Sequence, residues 1–153
     1  MQRAVMATTI RGMNPLELLP LFTFGTLRRA ERNHHYLEGT YERWLPGMVR
    51  DYGRIAAWHG WPAIAPKVGE QVAGELFFIR PEVFVETLGR CDILEEIPPG
   101  ELTGRHYQRA QVVVETAAGN FTAWAYVDPP NATPADPGTA PDRDAGSGEL
   151  LRS

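Results

Sequence analysis

The stretch Leu21-Phe22-Thr23-Phe24-Gly25-Thr26-Leu27 decides the architecture predicted for this chain. Its two phenylalanines alternate with Thr23, which is the two-residue period of a strand with one buried face. Gly25 ends that alternation, because a glycine lets the backbone turn sharply or approach a ligand closely. A polar segment of helical character follows at residues 28–37. Backbone N–H groups at such a turn could hold an anion or an oxyanion, although an ordinary strand-to-helix turn has the same pattern.

Length, charge and cysteine usage limit the class of protein. The chain has 153 residues, of which 43% are hydrophobic, enough for one domain with a core. Its net charge is −4 and it lacks an extended basic block, so we expect no nucleic-acid partner. It has no apolar run of about 18 residues and no signal-peptide pattern, so we expect no membrane partner. The single cysteine, Cys91, excludes an internal disulfide and fits a cytoplasmic location.

The amino-acid composition argues against several kinds of catalysis. Serine occurs only at Ser147 and Ser153, in a tail of disordered composition, so a serine hydrolase is not expected. The single lysine, Lys67, lies outside any phosphate-binding loop pattern and argues against Schiff-base chemistry. The four histidines lack the i, i+4 spacing of a zinc motif. Carboxylates, backbone N–H groups, tyrosines and arginines remain for catalysis.

Alternating and periodic patterns predict a chain of strands with one longer helix. The predicted strands are residues 21–24, 40–49, 54–57, 71–79, 107–116 and 121–127. Turns are predicted around residues 51–53 and, as a Gly-Asn hairpin, at residues 117–120. Residues 60–64 are predicted to be a loop that returns to extended chain. A short helical stretch is expected at residues 31–37, and a helix at residues 81–94 that Pro98 and Pro99 end.

The helix predicted at residues 81–94 brings one carboxylate to its apolar side. Apolar residues recur from Phe84 at helical spacing and include Cys91, which we interpret as a core residue and not a nucleophile. At about 100° per residue, Glu95 lies about 20° from Phe84 around the axis, whereas Glu96 lies about 120° away. A buried carboxylate at the negative end of a helix has a raised pKa, which suits a proton shuttle. A helix-end glutamate also often turns outward to water, so both orientations stay open.

Composition divides the chain into three parts. Residues 1–19 form a leader whose order the sequence does not fix, and residues 20–128 form the domain. Residues 129–153 are rich in Pro, Ala, Gly and Asp, which is typical of a disordered C-terminal tail.

Several short sequence pieces carry a resemblance to a known family. In chain order they are Phe22-Thr23-Phe24-Gly25-Thr26-Leu27, Asn33-His34, Leu37, Trp61-Pro62-Ala63-Ile64, Val72, Gly74-Glu75-Leu76-Phe77, Asp92-Ile93-Leu94-Glu95, Tyr107-Gln108-Arg109 and Trp124-Ala125-Tyr126-Val127. Their order and spacing resemble the γ-glutamylcyclotransferase-like family over residues 20–128. The resemblance implies an α+β fold, namely a small mixed β-barrel with flanking helices and a pocket between the glycine loop and the glutamate.

The resemblance also implies roles for individual residues. Gly25-Thr26-Leu27 match the loop whose backbone holds the γ-glutamyl group, and Glu95 matches the acid/base glutamate of the family. Tyr107 and Tyr126 match aromatic positions that flank the pocket. These residues are therefore the candidate catalytic and substrate-binding groups.

Two residues depart from the family pattern. Phe24, also a candidate substrate-binding position, stands where the family usually has tyrosine, so it cannot supply a hydroxyl. Glu96 stands where a glycine commonly follows the catalytic glutamate, and it places a second carboxylate beside the first. Neither departure removes Glu95.

The implied activity needs no nucleophile, metal or cofactor from the protein. In a γ-glutamyl amine or peptide, the α-amine of the substrate attacks its own γ-carbonyl, giving 5-oxoproline and a free amine. The protein must fold the substrate, move a proton and stabilise an oxyanion. The expected partner is thus a small γ-glutamyl compound. The alternative is a non-catalytic protein of the same fold that binds a small amino-acid-like ligand, which the two departures favour.

Overall fold

A closed five-stranded barrel forms the centre of the computed structural model, which describes residues 14–129. The strands are β1 (Leu21–Thr23), β2 (Tyr41–Ala56), β3 (Pro62–Ile79), β4 (Gln108–Thr116) and β5 (Gly119–Val127). Around the barrel they follow the order β1-β3-β2-β4-β5, and β1 closes it by pairing parallel to β5. The other pairs are antiparallel, so the predicted mixed barrel is confirmed.

One helix, α1 (Pro81–Leu94), accompanies the barrel at the predicted residues. The helical stretch predicted at residues 31–37 is shorter than expected, with only a 3-10 turn at His34–Tyr36. No helix of residues 14–129 is long and apolar enough to cross a membrane. The predicted leader at residues 1–19 lies mostly outside the described residues, and so does the predicted tail at residues 129–153.

Strands β2 and β3 form one long hairpin, where the sequence predicted two short strands, a turn and a loop. Residues 51–53 are not a chain-reversing turn, because pairing resumes at Tyr52 with Pro66 after a shift of register. Asp51 lies at this register shift and has a left-handed φ of 64°. Its carboxylate accepts a hydrogen bond from the N–H of Gly69. The loop predicted at residues 60–64 ends at Trp61, and the extended chain to which it was expected to return begins at Pro62. Pro62 stands at the first strand residue, where a missing N–H is tolerated.

The β4–β5 hairpin turn is also displaced from its prediction. Residues 117 and 118 occupy the turn, whereas Gly119 already pairs with Thr116 and Asn120 with Glu115. The predicted Gly-Asn turn is therefore wrong. Gly119 is the first residue of β5 and has a φ of 116°, a conformation that glycine adopts without strain.

Two apolar clusters fill the molecule. The inner cluster draws on all five strands and fills the barrel: Phe22, Phe24, Val49, Ile64, Val72, Leu76, Val112, Val114, Ala123, Ala125 and Val127. The outer cluster joins the outside of the barrel to α1 and nearby loops: Leu21, Leu27, Leu37, Trp61, Ala63, Phe77, Ile79, Phe84, Leu88, Cys91, Ile97, Tyr107, Trp124 and Tyr126. Successive residues of β1 and β5 alternate between the two clusters, as the pleat of a strand requires.

Candidate functional site

Glu95 lies at the end of the apolar side of α1. Phe84, Leu88 and Cys91 are buried along this side, and Glu95 caps the helix with its side chain fully buried (0% exposed). The predicted orientation toward the core is therefore confirmed, and the outward orientation is wrong. A carboxylate is thus held in the layer between α1 and the barrel.

The end of α1 explains how Glu95 keeps this position. The N–H of Ile97 bonds the carbonyl of Asp92 at 2.9 Å and that of Glu96 bonds Ile93 at 3.0 Å, which is a Schellman ending. Glu96 occupies the left-handed position of that motif with a φ of 63°. Glycine usually takes this position, which gives the glycine of the family pattern a physical reason. In this chain Glu96 adopts the strained φ instead, and α1 ends at Leu94.

The glycine loop follows β1 and is fastened through its carbonyl groups. The carbonyl of Gly25 accepts N–H bonds from the backbone and the guanidinium of Arg28, at 3.1 and 2.9 Å. The Thr26 carbonyl and hydroxyl accept from the backbone and side chain of Asn33, both at 2.9 Å. Among the hydrogen bonds of residues 14–129, none has the N–H of Gly25, Thr26 or Leu27 as donor. These three N–H groups therefore have no hydrogen-bond acceptor within residues 14–129.

The structure separates Phe24 from the other predicted site residues. Leu27, Tyr107 and Tyr126 share the outer cluster with the apolar side of α1. The Phe24 ring belongs to the inner cluster and is 2% exposed. Only the backbone of Phe24 is therefore close to the loop, and its carbonyl accepts a bond from Arg54 at 3.4 Å.

Tyr107 lies in a cluster of aromatic side chains beside Glu96. Its hydroxyl donates to the carbonyl of Pro62, and its ring centre is 5.6 Å from that of His59. His59 and His106 are both fully buried, with ring centres 4.6 Å apart. Nδ1 of His106 is 3.1 Å from Oε1 of Glu96, so the second carboxylate is tied into this cluster.

Tyr126 belongs to a second polar group, which includes Asp92 of α1. Its hydroxyl donates to Oδ1 of Asp92 at 2.6 Å. Asp92 also accepts two bonds from Arg109, at 2.8 and 3.0 Å, in a fork geometry. Arg109 is 2% exposed, donates to the carbonyl of Pro15 and lies 4.5 Å from the Trp124 ring centre. This group fastens α1 to the barrel one turn before Glu95.

Burial raises the pKa of two side chains of this layer, Cys91 and Tyr126. It raises the pKa of the Cys91 thiol far above its usual value, and the nearby charges of Glu95 and Asp92 act in the same direction. Cys91 is therefore a protonated core residue, as interpreted from the sequence. Burial also raises the pKa of the Tyr126 hydroxyl, so it stays a hydrogen-bond donor.

The described residues also contain a cavity of about 500 Å³ beside α1. Its lining includes residues of α1, residues 14–16, residues 99–101 and the Asp92–Arg109 pair, whereas neither Glu95 nor the glycine loop contributes to it. Within residues 14–129, no group of three His, Cys, Asp or Glu side chains is arranged to hold a metal ion.

The sequence did not predict the buried histidine pair, the Asp92–Arg109 ion pair or the burial of Thr23. Asp92 and Arg109 belong to the family pattern, but the sequence alone assigns them no role. An arginine within a predicted strand and an aspartate on the predicted helix together could have indicated this ion pair, because a buried arginine requires a carboxylate partner.

Comparisons with known proteins agree with this architecture. A family model described as gamma-glutamyl cyclotransferase, AIG2-like, matches residues 21–144. The protein named gamma-L-glutamyl-butirosin B gamma-glutamyl cyclotransferase, from Niallia circulans, is 36% identical over 112 residues. That match covers 70% of this chain and 65% of the relative, so the chain spans less than two thirds of the relative's length.

Two solved structures share the fold. YkqA from Bacillus subtilis superposes with a TM-score of 0.53 and 24% identity, covering 72% of this chain and 35% of YkqA. A protein of Arabidopsis thaliana known from a solution structure superposes with a TM-score of 0.55 and 15% identity, covering 89% of both chains. At these identities the likeness concerns the fold alone.

Proposed function

The chain belongs to the gamma-glutamyl cyclotransferase, AIG2-like family, and we propose on that premise that it cyclises a γ-glutamyl amine or peptide to 5-oxoproline and releases the free amine. The observation that carries the proposal is the fully buried Glu95 at the end of α1, in one layer with Leu27 of the glycine loop. Ionisable side chains that are buried in this way are concentrated at active sites, which makes Glu95 a candidate functional group.

The reaction balances within the substrate. The nitrogen of the α-amine forms a bond to the γ-carbonyl carbon, which closes a five-membered ring and places negative charge on the carbonyl oxygen. The bond from that carbon to the leaving nitrogen then breaks. One proton leaves the attacking amine and one proton is added to the leaving amine, so a single group can carry both transfers.

Glu95 is the group we assign to this proton transfer. A carboxylate accepts a proton from the attacking amine and can return it to the leaving nitrogen, so one glutamate serves both transfers. Cys91 on the same helix stays protonated and Asp92 is held by Arg109, so neither competes for this role.

The glycine loop is the group we assign to the oxyanion. Charge that develops on the γ-carbonyl oxygen is stabilised by donors that are already oriented. The N–H groups of Gly25, Thr26 and Leu27 meet that requirement, because the carbonyls of the loop are fastened to Arg28 and Asn33 while these three N–H groups are not used by residues 14–129. The fixed carbonyls hold the N–H groups in place.

Substrate entry requires a movement, since Glu95 has no exposed surface. The aromatic cluster connects the β2–β3 loop (residues 57–61) to the segment after α1 through Trp58, His59 and His106. We propose that displacement of the β2–β3 loop admits the substrate and that these side chains then surround the leaving amine. The relative from Niallia circulans is named for γ-L-glutamyl-butirosin B, so a large leaving amine is one class to test.

A panel of γ-glutamyl compounds tests the proposal. The purified chain is incubated with γ-glutamyl amines, γ-glutamyl peptides and their α-linked isomers, and 5-oxoproline and free amine are measured together. Equimolar release of both products from γ-linked compounds alone is expected. Binding of 5-oxoproline without turnover of any γ-linked compound would favour the non-catalytic alternative.

A further inference from the structure

Thr23 carries a polar atom in an environment that offers it no partner. The residue is 2% exposed, and its hydroxyl has no hydrogen-bond partner within residues 14–129. A buried hydroxyl without a partner is destabilising relative to the isosteric methyl group of valine. The last residue of β1 could therefore be valine at no cost to the barrel.

The strand pleat fixes the side to which this hydroxyl points. Phe22 and Phe24, on either side of Thr23, belong to the inner cluster, whereas Leu21 belongs to the outer cluster. Because side chains alternate along a strand, Thr23 faces the layer between the barrel and α1. Glu95 faces this same layer, and Thr23 is two residues before Gly25.

The polar neighbours of Thr23 already have other partners. Glu75 lies opposite Thr23 in β3, and its Oε1 accepts the N–H of Arg29 at 2.6 Å. On the other side, β5 pairs in parallel through Phe22 and Ala125, so Tyr126 is the next residue along. Its hydroxyl donates to Asp92 at 2.6 Å. The Thr23 hydroxyl thus takes no part in either arrangement.

We propose that Thr23 is a substrate-binding residue whose hydroxyl bonds the amino-acid end of the γ-glutamyl group, an inference that rests on the proposed function. The end of β1 leads directly into the loop of Gly25, Thr26 and Leu27, which is assigned to the γ-glutamyl group. The β2–β3 loop is assigned to the leaving amine. A hydroxyl donates a hydrogen bond, so it can bond the α-carboxylate, the charged group that the substrate and 5-oxoproline share. A bound substrate supplies the partner that residues 14–129 do not provide.

The isosteric variant Thr23→Val tests this role, with Thr23→Ser as the variant that keeps the hydroxyl. We expect Thr23→Val to lower kcat/KM and 5-oxoproline affinity by about 10- to 100-fold, the range for one lost hydrogen bond to a charged group. The loss should be equal for two substrates that differ only in the leaving amine. The melting temperature of Thr23→Val should match or exceed that of the wild type, and Thr23→Ser should keep most of the activity.

The outcomes separate this proposal from the proposed function. Thr23→Val with wild-type 5-oxoproline affinity and kcat/KM overturns the proposal alone. A loss of activity that comes with a lower melting temperature, in both variants alike, shows a structural role and also overturns it. Wild-type protein that neither turns over γ-glutamyl compounds nor binds 5-oxoproline overturns the proposed function, and this proposal with it.

Discussion

The buried pair of Arg109 and Asp92 should be the most sensitive ionic contact of the described structure. Arg109→Met keeps the length of the side chain but removes both bonds to Asp92, at 2.8 and 3.0 Å, and the bond to the Pro15 carbonyl. The Asp92 side chain, 13% exposed, then keeps the Tyr126 hydroxyl as its donor but loses its cation. Breaking a buried pair on one side typically costs about 3–5 kcal/mol.

The free energy of unfolding in urea, measured for two sets of variants, isolates the contribution of the Arg109–Asp92 pair. Adding Asp92→Asn to Arg109→Met should recover part of the loss, because a neutral amide needs no cation while still accepting the Tyr126 hydroxyl. Arg50→Met is the matched control. Arg50 makes the same two-bonded contact with Glu115, at 2.8 and 2.9 Å, but is 58% exposed, so its removal should change the free energy of unfolding little. Equal losses in Arg109→Met and Arg50→Met would refute the reasoning.

Three further predictions concern single residues. Glu96→Gly should be about 1 kcal/mol more stable than Glu96→Ala in thermal unfolding, since only glycine adopts a φ of 63° without strain; equal melting temperatures would contradict this. Cys91 should resist alkylation in the folded protein and react only in urea, because burial raises the pKa of its thiol; rapid labelling of native protein would contradict its burial. Burial raises the pKa of Asp128, so its ionised form disfavours folding and Asp128→Asn should be the more stable protein at neutral pH. That advantage should vanish below about pH 4, the usual pKa of aspartate, and an advantage that persists there would have another cause.

The helix and its glutamate were predictable because their signals are local. Apolar spacing from Phe84, Pro81 at the start and the prolines after Ile97 define α1 without knowledge of the barrel. Glu95 follows from the same periodicity, and the structure buries it. Site residues that lie on a single element, or directly after it, could therefore be predicted from the sequence.

Features that depend on pairing across the chain were not predictable in this way. The β2–β3 hairpin runs through Pro62 and Pro66, two residues that interrupt a strand pattern, and only the partner strand keeps them extended. His59 and His106 meet because two loops fold onto each other, and their separation in sequence gives no sign of it. The role of Thr23 is likewise invisible until the inner and outer clusters are known.

The fold also changes the choice of control for experiments on the glutamate. Glu96 is a neighbour of Glu95 in sequence, but its carboxylate lies 3.1 Å from the buried His106 and cannot serve as an inert reference. Glu86 is the better choice. It lies on the same helix, is 73% exposed and makes only a loose pair with Arg90 at 3.8 Å.

The rate of 5-oxoproline release by Glu95→Gln is the most direct test of the account. Glutamine keeps the size of the side chain but cannot carry a proton, so turnover of the best γ-glutamyl substrate should fall by about 10²–10⁴-fold. Affinity for 5-oxoproline, measured by calorimetry, should stay within a few-fold of wild type, because the glycine loop does most of the holding. Glu86→Gln should match the wild type in both measurements. Wild-type turnover in Glu95→Gln would contradict the proton-transfer role of Glu95.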